Sequence, residues 1–331
     1  MLASQFHKTL RFTVCVIIVA IGSMRALGAE TIVNTTDSKQ MKQWQNINKY
    51  IDKQSAKIGV SCHFVSFEDS AKFSQNLVSN TPIQSLLKQA NTFNHRAQDS
   101  FVIMSVAKLP IALYAMHLVN INQLSLDTLL FIDSNDIKRD THSPTVNGKT
   151  QPFSITLKQA IEASIQLSDN ITTDLIIDAV GGIKNIETYY QQLGFKDLHV
   201  RSNYRNMDQD QLGANCSSPI EMNQLLLEFY FKHNTQGANP DFIYQLMAST
   251  PTGPNRIRGE LPANTIVAHK TGTYFTDKKH VAINDIGIIR TQTGILFLTV
   301  FVNDFNMSAK HTEKAIAHIS KMLFDHYNKS L

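Results

Sequence analysis

Residues 101–118, FVIMSVAKLPIALYAMHL, decide how this chain is read. Ser105 and Lys108 stand three apart at the head of a long apolar run, a spacing that puts two side chains on one helical face. Pro110 is tolerated in the first turn of a helix, so the helix is expected to start close to Ser105. Unpaired backbone N–H groups and the helix dipole favour developing negative charge there. A serine beside an amine that can take its proton has what a nucleophile needs, provided the surroundings lower the amine's proton affinity. The same spacing recurs at Ser85 and Lys88, which read as an ordinary surface pair. The weight therefore falls on what else the chain supplies.

The 331 residues are 43% hydrophobic and 18% charged, which suits a globular protein of one or two domains. Lys8 and Arg11 precede an apolar run from Phe12 to Met24, and small residues follow around Ala26 to Ala29. That pattern predicts a secretory signal peptide over residues 1–29 and a periplasmic or secreted product, with no membrane anchor after cleavage. Three basic residues and no acidic ones leave with it, so the +4 formal charge falls to near neutrality. Such a balance gives no electrostatic reason to expect nucleic acid or an anionic membrane as partner. A monomer acting on a small molecule is expected. Cys62 and Cys216 remain, and they could pair in an oxidising compartment. Neither Cys-x-x-Cys nor His-Glu-x-x-His occurs, so no metal or cofactor is expected.

Met41, Trp44, Ile47 and Ile51 recur at helical spacing. Ile58 to Phe67 alternates as a half-buried strand. Residues 67–100 resist assignment. Helical signals then dominate from Phe101 to about Met247, with helices at 156–166, 172–180, 186–193 and 220–231. Gly181-Gly182 closes the second of these. Val200 to Ser218 is polar, without apolar period, and reads as a long loop of the functional kind. After Pro262 come strands at 265–273, 281–290 and 295–303 and a helix at 310–327. The fold class is thus α/β: one antiparallel sheet built from both termini, flanked by helices, with an all-helical lobe inserted. The boundaries predicted are about 100–250 for the helical subdomain and about 40–99 plus 262–331 for the α/β subdomain, in one domain over 30–331. The cleft between the lobes is the expected site.

Three motifs occur in order: Ser105-Val106-Ala107-Lys108, Ser168-Asp169-Asn170 and Lys270-Thr271-Gly272. With the flanks Val267 to Thr273, Asn284-Asp285-Ile286-Gly287 and Phe301-Val302, the chain from about residue 41 onward resembles the class A β-lactamases. It is most similar to the subgroup with longer loops and a histidine before Lys-Thr-Gly. The resemblance implies β-lactam ring opening through a Ser105 acyl-enzyme, with Lys108 as proton acceptor in acylation. The backbone N–H groups of Ser105 and Thr273 would form the oxyanion hole. Ser168 would pass a proton to the leaving nitrogen. Lys270 would hold Ser168 and attract the substrate carboxylate. Asn170 would meet the substrate's side-chain amide, and Thr271, Gly272 and Thr273 would line the carboxylate pocket. Asp169 reads as a turn-fixing residue, and His269 as a packed strand residue.

The resemblance breaks in the long loop, where class A enzymes carry a glutamate that holds the water cleaving the acyl-enzyme. Counting back from Ser218-Pro219 puts Ser202 there, and counting forward from Gly194 puts Tyr204 there. Neither is acidic. Asp208 or Asp210 could substitute from a rearranged loop, or the acyl-enzyme breaks down slowly. Many relatives pin this loop with an Asp–Arg ion pair, but Asn215 stands at the corresponding place. Two further functions stay open: a penicillin-binding or D,D-peptidase-like enzyme, and a covalent β-lactam trap without turnover.

Overall fold

The computed structural model describes residues 35–78, 91–205, 214–233, 240–275 and 280–328. Residues 1–29, Ser85, Lys88, Asp208 and Asp210 lie outside these ranges. The chain divides into a short unit, Met1–Met41, and a large one, Lys42–Leu331, whose architecture follows.

Helix α1 (Thr35–Ile51) leads into strand β1 (Lys57–Ser66), helix α2 (Phe67–Val78) and strand β2 (Asn91–His95). The last two fall in the stretch whose sequence resisted assignment. Near the C-terminus come β7 (Val267–Phe275), β8 (His280–Arg290), β9 (Gly294–Asn303) and the closing helix α10 (Ala309–Asn328). All five long strands join one antiparallel sheet in the order β2-β1-β9-β8-β7. The sheet assembled from both ends of the chain is therefore present as the sequence predicted.

One detail differs. Strand β1 is buried along nearly its whole length rather than on alternate residues. Val60, Cys62 and Phe64 face a core with Ile47, Ile51, Ile316, Leu323 and Phe324. On its other face the Ser61 carbonyl accepts from Asn223 Nδ2 at 2.6 Å, and Asn223 comes from a helix of the inserted segment. A sheet covered on both sides buries polar alternates, provided each is hydrogen-bonded.

Between the two sheet halves run β3 (Phe101–Val102), a 3₁₀ turn (Met104–Ala107), α3 (Lys108–Asn120), β4 (Leu129–Ile132), α4 (Ser134–Lys138) and β5 (Phe153–Thr156). Then follow α5 (Leu157–Gln166), α6 (Asn170–Ala179), α7 (Ile183–Gln192), β6 (Cys216–Ser217), α8 (Pro219–His233) and α9 (Pro240–Ala248). Thr156 caps α5 in a capping box with Gln159. Gly181 and Gly182 end the turn after α6 at φ 83° and 94°, conformations that cost a glycine little. Helix α3 is buried nearly all round, from Lys108 to Met116, which explains its uninterrupted apolar sequence. Cys62 and Cys216 are both free thiols.

Candidate active site

The turn bearing Ser105 is held from three directions. The Val102 N–H donates to Asn303 Oδ1 at 2.8 Å, and Asn284 Nδ2 donates to the Val102 carbonyl at 2.8 Å. The next N–H, of Ile103, donates to the Asn215 carbonyl at 3.1 Å. Two sheet strands and the long loop thus fix the approach to Ser105. Met104, immediately before Ser105, is at φ 52°, a left-handed conformation that such bracing sustains. Gly272 on β7 completes the arrangement. A Cβ there would collide with the Ile103 carbonyl, so only glycine lets β7 lie against the turn and bring Thr273 beside Ser105.

Lys108 is wholly buried at the first turn of α3. Its Nζ lies 2.8 Å from Ser105 Oγ and 2.7 Å from Asn170 Oδ1. Burial, followed by the charge of Lys270, holds this amine well below the ordinary lysine range, outweighing Asp169 and Asp174. An amine so depressed is able to accept the Ser105 proton. Asn170 engages both ends of its amide: Oδ1 with Lys108, and Nδ2 with Thr141 Oγ1 at 2.8 Å.

Ser168 is at φ 58°, in the break between α5 and α6. Its neighbours hold it there. The Asp169 N–H bonds the Ala163 carbonyl, and the Asn170 N–H bonds the His142 carbonyl. Asp169 caps α6 through the Thr172 N–H and accepts from Ser143 Oγ at 2.7 Å and the Thr145 N–H at 2.9 Å. These bonds clasp the 142–145 segment against the turn. Lys270, also fully buried, donates to Ser168 Oγ at 3.0 Å and to the Thr271 carbonyl at 2.9 Å. Burial, aided by Arg256, lowers its amine to about 7 against the opposing pull of Asp285. Asp285 itself pairs with His269 Nδ1 at 2.9 Å, both fully buried.

Ser105, Ser168, Asn170, Thr271 and Thr273 all line one cleft of about 550 Å³. Lys108 and Lys270 lie beneath it and reach it through the two serines. Motifs up to 165 residues apart in the chain therefore converge. Three features of the cleft have no counterpart in the motifs. Arg256 donates to Thr273 Oγ1 at 2.8 Å and is held by Glu313 at 3.0 Å, adding a guanidinium to the lining of the cleft beside Thr273. Thr252 Oγ1 accepts from Thr271 Oγ1 at 3.1 Å. The third is Tyr204, whose ring covers Lys108 with the amine nitrogen 3.9 Å from the ring centroid. The sequence signal for the first two was the turn-rich stretch Pro251-Thr-Gly-Pro-Asn255, placed just before the chain returns to the sheet.

The long loop takes its neck from Asn215. Its Oδ1 accepts the N–H groups of Arg201 and Ser202, at 2.8 and 2.9 Å, while its Nδ2 donates to the Ser202 carbonyl at 2.9 Å. A neutral amide thus joins both sides of the loop where an ion pair had been the alternative. Asn215→Asp keeps the shape but loses the donor and sets a buried carboxylate against the Ser202 carbonyl. It is expected to cost roughly 1–3 kcal/mol at neutral pH. The deficit shrinks below about pH 5, because a protonated carboxyl regains a donor, and thermal unfolding across pH reads both effects.

A serine hydroxyl 2.8 Å from a buried lysine amine of lowered proton affinity, in a cleft between a helical lobe and an antiparallel sheet, is an arrangement suited to a serine hydrolase of the acyl-transfer kind. A model of the Beta-lactamase enzyme family matches residues 41–327. The chain is 31% identical over 265 residues to Beta-lactamase VEB-1 of Pseudomonas aeruginosa, covering 74% of this chain and 89% of that protein. It is 31% identical to the Extended-spectrum beta-lactamase PER-1 of the same organism, covering 70% of this chain and 77% of that one. The crystal structure of the TLA-3 extended-spectrum beta-lactamase superposes with a TM-score of 0.76 at 28% identity, over 89% of this chain and all of that one. A beta-lactamase from Chitinophaga pinensis DSM 2588 gives the same TM-score and identity over 87% of this chain. The chain belongs to the class A β-lactamase family, serine hydrolases that act on β-lactams.

Proposed function

We propose that residues 30–331 form a secreted or periplasmic, monomeric β-lactam hydrolase, released by cleavage of residues 1–29, in which Ser105 is the nucleophile. The observation that carries this reading is the 2.8 Å contact between Ser105 Oγ and a buried lysine amine of depressed proton affinity. Ser105 Oγ attacks the lactam carbonyl and its proton passes to Lys108. The N–H groups of Ser105 and Thr273 receive the developing oxyanion. The amide C–N bond then breaks, and the leaving nitrogen takes a proton through Ser168, which Lys270 orients. Lys270, Arg256, Thr271 and Thr273 hold the substrate carboxylate. Asn170 receives the substrate's side-chain amide once Lys108 or Thr141 yields its place. Gly272 keeps the strand close enough for all of this.

The second half-reaction is the slower one. Asp140, at the exposed rim, is the one carboxylate among the described residues lining the cleft. None of the described residues beside Ser105 offers a carboxylate to the attacking water, and a water without such a base forgoes about 10²- to 10⁴-fold. The test is purified mature protein with excess chromogenic cephalosporin, followed by absorbance and intact-protein mass. A stoichiometric burst with an adduct on Ser105, then slow turnover, is expected. A burst with no later turnover describes a covalent trap, and activity confined to D-Ala-D-Ala peptides describes a peptidase. No adduct after long incubation ends the proposal.

A further inference from the structure

We propose that Tyr204 seals off the place a hydrolytic water would occupy beside Lys108, and so sets the lifetime of the acyl-enzyme. This rests on the Ser105 acyl-enzyme reading above and names the residue that governs its second half. An sp³ amine has three directions for partners beyond its own carbon. For Lys108 these are Ser105 Oγ at 2.8 Å, Asn170 Oδ1 at 2.7 Å and the face of the Tyr204 ring at 3.9 Å. A water bridging Lys108 to the acyl carbon needs the third direction, and an aromatic face fills it.

The ring is firmly placed. Tyr204 is 7% exposed. Its N–H donates to Asp174 Oδ1 at 2.7 Å, and Arg139 holds the other oxygen of that carboxylate at 2.7 Å. Its hydroxyl points to the Met104 carbonyl, next to the nucleophile, at 3.4 Å. The loop neck is tied by Asn215, and Arg205 grips Asp178 with its two terminal guanidinium nitrogens at 2.9 and 2.6 Å. Nor does the phenol serve as the missing base. Burial, followed by the charge of Asp174, pushes it above its ordinary range. The hydroxyl therefore stays protonated through the working range. Ser202, the other residue that counting placed here, turns instead to the Asn203 carbonyl at 3.1 Å.

Breakdown of the adduct needs a water oxygen to bond the acyl carbon and the carbon–Oγ bond to break. Oγ regains a proton, and the acid leaves as its carboxylate with a proton released to solvent. Replacing the ring by a carboxylate seats the water and takes its proton. Removing the ring leaves a space that formate can enter to do the same.

The experiment isolates the adduct on native protein, Tyr204→Glu and Tyr204→Gly, and follows its loss by intact mass with and without formate. Tyr204→Glu is expected to shorten the lifetime by at least about 10²-fold. Tyr204→Gly is expected to respond to formate in proportion to its concentration, whereas the native adduct does not respond. Formation of the adduct reports an intact nucleophile in each variant, and its absence in every protein ends the acyl-enzyme reading rather than this one. Unchanged lifetimes in variants that still acylate overturn the sealing role. So does a native adduct that formate clears, a result that needs no variant to fold. A native lifetime lengthened by Asp208→Asn or Asp210→Asn also overturns it, since the base would then come from residues 206–213.

Discussion

Ser105→Ala is expected to leave no covalent adduct and to lower hydrolysis by about 10⁴- to 10⁶-fold, the scale seen when a nucleophile that acts as a unit with its base is removed. The side chain contributes nothing to the fold that alanine cannot replace: it caps no helix, and the turn is held by the backbone bonds of Val102 and Ile103. Stability should change little, so loss of activity is a chemical effect. What changes is Lys108, which keeps Asn170 Oδ1 but loses its other oxygen partner. Intact mass after incubation with a penicillin, together with a thermal unfolding curve, separates the two possibilities. An adduct persisting on the alanine variant would place the nucleophile elsewhere.

The second large effect concerns pH. In the proposed mechanism, acylation needs Lys108 neutral and Lys270 charged. Lys108 lies below the ordinary lysine range, so its working form is lost as pH falls and it sets the acid limb. Lys270, lowered to about 7, carries its charge below that value and sheds it above, so it sets the alkaline limb of kcat/KM. A bound carboxylate favours the ammonium, which moves the alkaline limb of kcat upward relative to that of kcat/KM. Lys270→Met removes a charge-assisted contact and is expected to lower kcat/KM by about 10- to 100-fold. It also removes a positive neighbour from Lys108, so the acid limb should move to higher pH. Lys270→Arg retains a charge that does not titrate and should erase the alkaline limb, though a guanidinium cannot reproduce the 3.0 Å contact with Ser168. A profile unchanged in both variants would remove Lys270 from the chemistry. Stability runs the other way. An unfolded lysine takes up its proton near its ordinary value, so Lys270 costs the fold progressively more as pH drops from that value towards about 7.

Much of this protein was legible from residue order. The apolar run 109–116 could only be a buried helix, and Ser105 with Lys108 had to meet at its start, because three residues make one helical turn. A change to short apolar segments after Pro262, the last two joined by a turn ending in Gly294, marked the C-terminal strands. The turn chemistry of Ser168-Asp169-Asn170 and Gly181-Gly182 marked the breaks between helices. Local periodicity says nothing, however, about how many faces of a strand are covered, which is why β1 reads as half-buried yet lies inside two cores. Asn91–His95 escaped because a short polar strand depends on its partner, β1, for its form.

The site divides along the same line. Three motifs in order, and their resemblance to a known family, singled out Ser105, Lys108, Ser168 and Lys270, and the fold brings all four to one cleft. Their reactivity came from elsewhere. Lysine amines lose proton affinity through desolvation and neighbouring charge, and both are set by what packs around them from distant parts of the chain. Arg256 enters the cleft from a loop with no motif. Tyr204 reaches Lys108 across 96 positions of sequence, and only its place over the amine separates it from Ser202. Spacing along a chain fixes contacts within a turn or two, whereas contacts across a cleft exist only after the sheet has closed and the helical lobe has folded against it.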